Sequence, residues 1–146
     1  MIITISVTTL LAVWGVRKIL DNDSTGYFLL GALVIVLVPA LFYGPKSISV
    51  DSQMVTVNTW LRKHRIPLAE IESVELFQPT MGSIRICGSG GYMGYWGIFR
   101  EGDIGRYVAY YGKSSDCFLI RMRNGDKYVL GCENPAEMVE YINSRI

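Results

Sequence analysis

Gly26-Tyr-Phe-Leu-Leu-Gly-Ala-Leu-Val-Ile-Val-Leu-Val-Pro-Ala-Leu-Phe-Tyr43 contains no charged residue. A helix of about 20 apolar residues covers the ~30 Å hydrocarbon thickness of a bilayer, and this stretch is close to that length. Pro39 predicts at most a kink, because neighbouring groups in a membrane helix re-satisfy the backbone that proline frees. Tyr27, Phe42 and Tyr43 sit at the two ends, where amphipathic rings favour the headgroup level.

Toward the N-terminus, Ile2 to Leu20 is a second apolar segment, weaker because its uncharged portion stops at Val16, ahead of Arg17 and Lys18. Those bases can snorkel to the interface at a helix end. A signal peptide places its bases before the apolar region and a small-residue cleavage site after it, whereas here the bases follow. A buried helical hairpin of a water-soluble protein is the other reading open. Asp21 to Thr25 is polar and turn-prone, so residues 1–45 are expected to form a transmembrane helical hairpin with both ends on one side. Its orientation is nearly balanced: Arg17 and Lys18 draw the short loop to the cytoplasm, while Lys46, Arg62, Lys63 and Arg65 draw the C-terminal part there.

Residues 46–146 hold 12 of the 14 lysines and arginines and 11 of the 13 acids, so this part carries almost no net charge. The overall basic footprint of a nucleic-acid binder is absent, and no nucleic acid is expected as a partner. About 100 residues suffice for one small core and leave no room for a second soluble domain. Cys87, Cys117 and Cys132 are odd in number and widely spaced, which rules out a complete set of internal disulfides and favours a reducing compartment. With no C-x-x-C pair and a single histidine, neither a metal nor another cofactor is expected.

After Gly44-Pro45 the period changes from helical to alternating. Ile48 and Val50, then Val55 and Val57, read as a hairpin around Asp51-Ser52, with Thr59 to Leu61 able to prolong its second strand. Leu61-Arg-Lys-His-Arg65 reads as a basic link, Ile71 to Phe77 as a strand, and Ser83 to Cys87 and Trp96 to Phe99 as strands flanking a glycine-rich stretch. Further strands fall near 106–111 and 117–122. Asn124-Gly125 is a hairpin signal whose register stays open: a two-residue loop faces Arg123 with Asp126, and a longer one sets Ile120 and Met122 against Tyr128 and Leu130. Asn134, Pro135 and Glu137 have capping-box spacing for a terminal helix to about Ser144, with Val139, Ile142 and Ile146 on its inner stripe and Met138 alongside.

Three segments carry a family resemblance: Arg65-Ile-Pro-Leu-Ala-Glu-Ile-Glu-Ser-Val-Glu-Leu76, Arg85-Ile-Cys-Gly-Ser-Gly-Gly-Tyr-Met-Gly-Tyr-Trp-Gly-Ile-Phe99 and Lys127-Tyr-Val-Leu-Gly-Cys-Glu-Asn-Pro-Ala-Glu-Met-Val139. In this order they resemble the bacterial pleckstrin-homology-like membrane protein family. The resemblance implies an α+β chain: the helical hairpin, then a seven-stranded, two-sheet PH-like barrel over 46–146 with a C-terminal capping helix. It also implies a protein of the bacterial cytoplasmic membrane, and the unpaired cysteines lean toward a cytoplasmic C-terminal domain.

The glycine-rich stretch lacks the Lys-Ser or Lys-Thr of a P-loop, has Met93 where a dinucleotide fingerprint needs glycine, and has Cys87 where a nucleophile elbow begins with glycine. It reads as a bulged strand pair with glycines at positive φ, and Tyr92, Tyr95 and Trp96 around it are the candidate interaction surface. Arg62, Lys63 and Arg65 are candidate contacts to anionic lipid, against the alternative of a solvated turn. His64 lies among these cations, which lower its basicity, and no nucleophile stands beside it. Glu70, Glu72 and Glu75 read as a polar outer face. No catalytic set emerges, although a subunit of a small membrane-associated enzyme stays as a lesser alternative. The expected role is a non-enzymatic interaction module on the lipid bilayer, with a protein partner or a homo-oligomer.

Overall fold

The computed structural model describes residues 2–146. They divide into two compact units that part between Leu41 and Phe42.

The first unit contains α1 (Ile2–Leu20) and most of α2 (Thr25–Tyr43). Asp23 starts α2: its carboxylate accepts hydrogen bonds from the Thr25 N–H at 3.0 Å and the Thr25 hydroxyl at 2.6 Å, and Lys18 Nζ lies 3.1 Å away. These bonds, the Thr25 hydroxyl foremost, hold the Asp23 carboxyl at about 2. The helices meet closely at small residues. A Cβ on Gly26 would lie 2.6 Å from Ile19 Cγ1 and 2.7 Å from the Gly15 carbonyl oxygen, so only glycine admits this approach. Apolar side chains face outward instead of into a core, Phe28 being 85% and Ile35 73% exposed. Among the described residues only α2 is long and apolar enough to cross a bilayer. Both predicted helices form, and α1 is the less apolar of the two, as expected from Arg17 and Lys18 at its end.

The second unit holds nine strands among the described residues, where the resemblance implied seven. β1 (Pro45–Val50), β2 (Met54–Thr59) and β3 (Lys63–Pro67) form one antiparallel sheet in that order. β4 (Ile71–Leu76), β5 (Ile84–Gly91), β6 (Gly94–Glu101), β7 (Gly105–Tyr111), β8 (Cys117–Met122) and β9 (Lys127–Gly131) form the other, in the order β4-β8-β9-β7-β6-β5, with β7 and β9 parallel. The arrangement is a two-sheet sandwich closed by α3 (Pro135–Asn143).

Burial follows strand alternation. Phe118 and Ile120 on β8 join Val55, Val57, Ile66, Ile71, Leu130 and Ile142 in the main core, which draws on both sheets and α3. Leu119 and Val129 point to the other face, where Phe99, Tyr107, Ala109 and Tyr111 form a second apolar layer. The connection from Phe77 to Ser83 secures that face: Ser83 Oγ lies 2.7 Å from the Tyr107 hydroxyl, and Glu101 accepts from Thr80 N–H at 3.0 Å and the Thr80 hydroxyl at 2.6 Å. A sheet buried on both faces explains why β7 to β9 read as near-continuous apolar runs.

Three expectations are corrected and one open register is resolved. The basic link is a strand: in β3, His64 and Ile66 turn inward while Lys63 and Arg65 face out, so period 2 persists beneath the charge. The capping box does not form. Asn134 makes no side-chain cap, and its amide donates instead to the Glu137 carboxylate at 3.4 Å. Ile142 is fully buried, but Ile146 lies beyond the helix end and is 45% exposed. The open hairpin register resolves to the longer loop. Met122 N–H donates to the Asp126 carbonyl at 2.9 Å, Gly125 takes φ +90°, and Ile120 pairs with Tyr128 and Phe118 with Leu130.

Candidate functional site

The edge of β1 opens onto a groove. β1 is an outer strand of its sheet, and Asp51 N–H donates to the Met54 carbonyl at 2.8 Å. Antiparallel pairing alternates from that point, so Ser49 and Ser47 bond toward β2 while the backbone groups of Ile48 and Val50 face away from it. α3 lines it through Glu137, Met138 and Tyr141, and Gly112, Gly131 and Cys132 line it as well. The groove encloses about 800 Å³. Ile48, Val50, Cys132 and Met138 give it an apolar floor that packs on the main core, and Lys46, Lys113, Glu133 and Glu137 give it a charged rim of both signs. Burial pushes the Cys132 thiol up from its ordinary value, with Asp116 adding to the effect. The groove thus combines unpaired main-chain groups, apolar contacts and charges, the components that hold an extended peptide.

Arg62, Lys63 and Arg65 lie together at the β2–β3 turn and on the outer face of β3. All three are exposed. Across the sheet Lys63 pairs with Asn58 and Arg65 with Thr56, and the Asn58 amide donates to Ser47 at 3.3 Å and Ser49 at 3.2 Å, which makes this face polar. His64 faces inward from the same strand. Its ring lies 5.9 Å from Tyr110 and 5.5 Å from Tyr128, its Nε2 is buried without a partner, and burial, followed by Arg62, lowers its basicity.

The glycine-rich stretch is a bent hairpin in which β5 and β6 run through the glycines. Gly88 and Gly97 pair across the strands at φ +121° and +117°. A Cβ on Gly97 would lie 2.2 Å from the Cys87 carbonyl oxygen, so the strands cross where no side chain fits. Tyr92, Tyr95 and Trp96 surround this hairpin but do not form one patch. Tyr95 stacks on Tyr111 at 4.8 Å on the second-layer face, whereas Trp96 stacks on Tyr43 at 5.8 Å and packs against the main core. Trp96 Nε1 donates to the Tyr92 carbonyl at 3.3 Å. All three aromatics are half-buried.

Glu70 lies in a 3-10 turn (Leu68–Glu70) ahead of β4, off the strand that carries Glu72, and Glu75 pairs with Arg121 at 2.8 Å. Cys117 is buried and its thiol is pushed up to about 12, first by burial and then by Asp116, while Cys87 is exposed on β5. Among the described residues no three His, Cys, Asp or Glu side chains group as metal ligands. The groove escaped sequence reasoning because β1 and α3 are separated by some 85 positions; its only local sign was the Ile48/Val50 alternation.

A family model described as Bacterial PH domain matches residues 46–146. No curated protein and no solved structure matches the chain. The matched region is the sandwich with its terminal helix and covers well over half of the sequence, so the chain belongs to the bacterial PH domain family.

Proposed function

We propose that this protein is a membrane-anchored, non-enzymatic interaction module that takes up an extended segment of a partner protein along the open edge of β1. The groove between β1 and α3 carries the reading. Added strands gain affinity from main-chain bonds and specificity from pockets for alternate side chains. Here Ile48 and Val50 offer the former, and the apolar floor and charged rim offer the latter. A six-residue edge spans about 20 Å, enough for one short peptide strand.

The anchor is α2, with its end on the cytoplasmic side of the membrane. Its support is the outward apolar surface of a 19-residue uncharged helix, only 11% buried, where the core helix of a soluble protein would be mostly covered. The test is photo-crosslinking in intact membranes, with the reactive residue at Lys113 or Tyr141 in the groove and at Arg121 outside it. Adducts from the groove positions alone are expected. Equal yields from all three, or none from the groove, would reject the site.

A second reading, self-association, is favoured by β5, an unpaired edge on which Ile84 is 67% and Ile86 55% exposed. Ile84→Lys should then reduce crosslinked dimers of the full chain; an unchanged dimer yield would exclude that edge.

A further inference from the structure

The turn between β2 and β3 carries an exposed apolar pair at its tip. Trp60 is 46% and Leu61 62% exposed. The turn is firmly built rather than loose. Thr59 N–H donates to the Arg62 carbonyl at 2.8 Å, the Arg62 N–H donates to the Thr59 hydroxyl at 3.0 Å, and Thr59 itself is buried. The fold therefore holds two large apolar side chains in solvent at a fixed position. Neither the core nor the β1 groove uses them.

Two independent observations say what covers them. The first is position. The Thr59 hydroxyl lies 2.6 Å from the Arg62 carbonyl and 2.8 Å from that of Phe42, sharing its proton between them, which sets the turn beside the last residues of α2, where Phe42 and Tyr43 are themselves half-exposed. If α2 crosses the bilayer, its end is at the headgroup level, and the turn is held within one hydrogen bond of it. The second is charge. Residues 42–67 carry Lys46, Arg62, Lys63 and Arg65 against a single acid, Asp51, in the β1–β2 turn at the other end of the strands. The ion pairs among the described residues are Lys18–Asp23 and Arg121–Glu75, so none of these four bases has an anionic partner among them. Lys46 Nζ sits 5.0 Å from the centre of the Trp60 ring, which brings a cation onto the apolar tip. Trp beside Lys and Arg is the composition that settles at a membrane interface.

We propose that the β2–β3 turn is a membrane contact in which Trp60 and Leu61 enter the headgroup–acyl boundary of the leaflet that α2 leaves, and Lys46, Arg62 and Lys63 hold anionic headgroups. This rests on the reading of α2 as the anchor. It extends the basic cluster of β3 from a charged face to a wedge with an apolar point.

The test uses the full chain in a Cys87→Ser, Cys132→Ser background, reconstituted into phosphatidylcholine vesicles with and without phosphatidylglycerol. An environment-sensitive fluorophore is attached at Leu61→Cys or, for comparison, at Asn124→Cys in the exposed β8–β9 loop. Flotation of the vesicles first reports the anchor: protein left at the bottom of the gradient defeats the anchor and the wedge together. With floated protein, the residue-61 probe should emit further to the blue than the residue-124 probe and be quenched by a shallow nitroxide lipid, and phosphatidylglycerol should increase both effects. Floated protein whose two probes behave alike would overturn the wedge and leave the anchor standing. Arg62→Gln with Lys63→Gln should abolish the phosphatidylglycerol increment, and an unchanged increment would overturn the role of the bases. A residue-61 probe that stays in water in vesicles but is shielded in native membranes would assign the turn to a protein and overturn the lipid contact.

Discussion

Gly97→Ala should unfold the bent hairpin, and the size of the effect can be worked from the strand crossing. The new Cβ would lie 2.2 Å from the Cys87 carbonyl oxygen and 2.7 Å from Gly88 Cα, both backbone atoms that cannot rotate away. The residue also keeps φ +117°, which costs a non-glycine residue about 1–3 kcal/mol. Overpacking adds about 1–3 kcal/mol when backbone must move. The sum, roughly 2–6 kcal/mol, compares with about 5–15 kcal/mol for the whole of a typical domain. At a slope of ~2 kcal/mol per molar urea, the unfolding midpoint should fall by about 1–3 M. The assay is urea unfolding of the full chain in detergent micelles, followed by near-ultraviolet dichroism. Gly102→Ala is the control, since nothing lies within 4 Å of its Cβ and its φ is not positive, so it should stay within about ±0.5 kcal/mol. If both variants shift the midpoint alike, the glycines are not there to let strands cross, and the structural reading of this stretch fails.

Acidification should reveal His64. Burial and Arg62 hold its pKa below the ordinary value. Above about 6.5 the imidazole is neutral in both folded and unfolded chains and adds no pH dependence. As pH falls through 6.5 toward the lower folded-state value, the unfolded chain takes up the proton first and stability declines, levelling off below that value. His64→Phe, which keeps a ring between Tyr110 and Tyr128, should flatten that part of the stability profile, and identical profiles would contradict the assignment. Thiol labelling of the native protein at neutral pH should modify Cys87 quickly and leave Cys117 untouched until denaturant is added. Fast native labelling of Cys117 would mean that the second apolar layer is open.

Legibility in the sequence tracked how strongly side chains announce their environment. β8 is legible to its residue bounds because Cys117 to Met122 is apolar at every position but Arg121 and is followed by a turn signal. β3 is hard to see in the sequence because its inward residues, His64 and Ile66, are outnumbered by neighbouring bases, whose charge masks an alternation that is present. β5 and β6 were read too short, since glycine displays no preference and pairing there depends on the strand opposite. Tyr95 and Trp96 were grouped by proximity in sequence, yet neighbours on a strand point to opposite faces, and the structure separates them accordingly. The capping box failed because the Asn134 amide turned to the Glu137 carboxylate. The β1–α3 groove and the Trp60–Leu61 turn were illegible, for each depends on elements brought together only by the tertiary fold.

Extraction of cell membranes with alkaline carbonate, followed by ultracentrifugation, tests the anchoring of this module most directly. Full-length protein should remain in the pellet and be released only by detergent, as an uncharged 19-residue helix with its apolar side chains turned outward requires. Release into the carbonate supernatant, with the bulk of integral proteins still in the pellet, would contradict it.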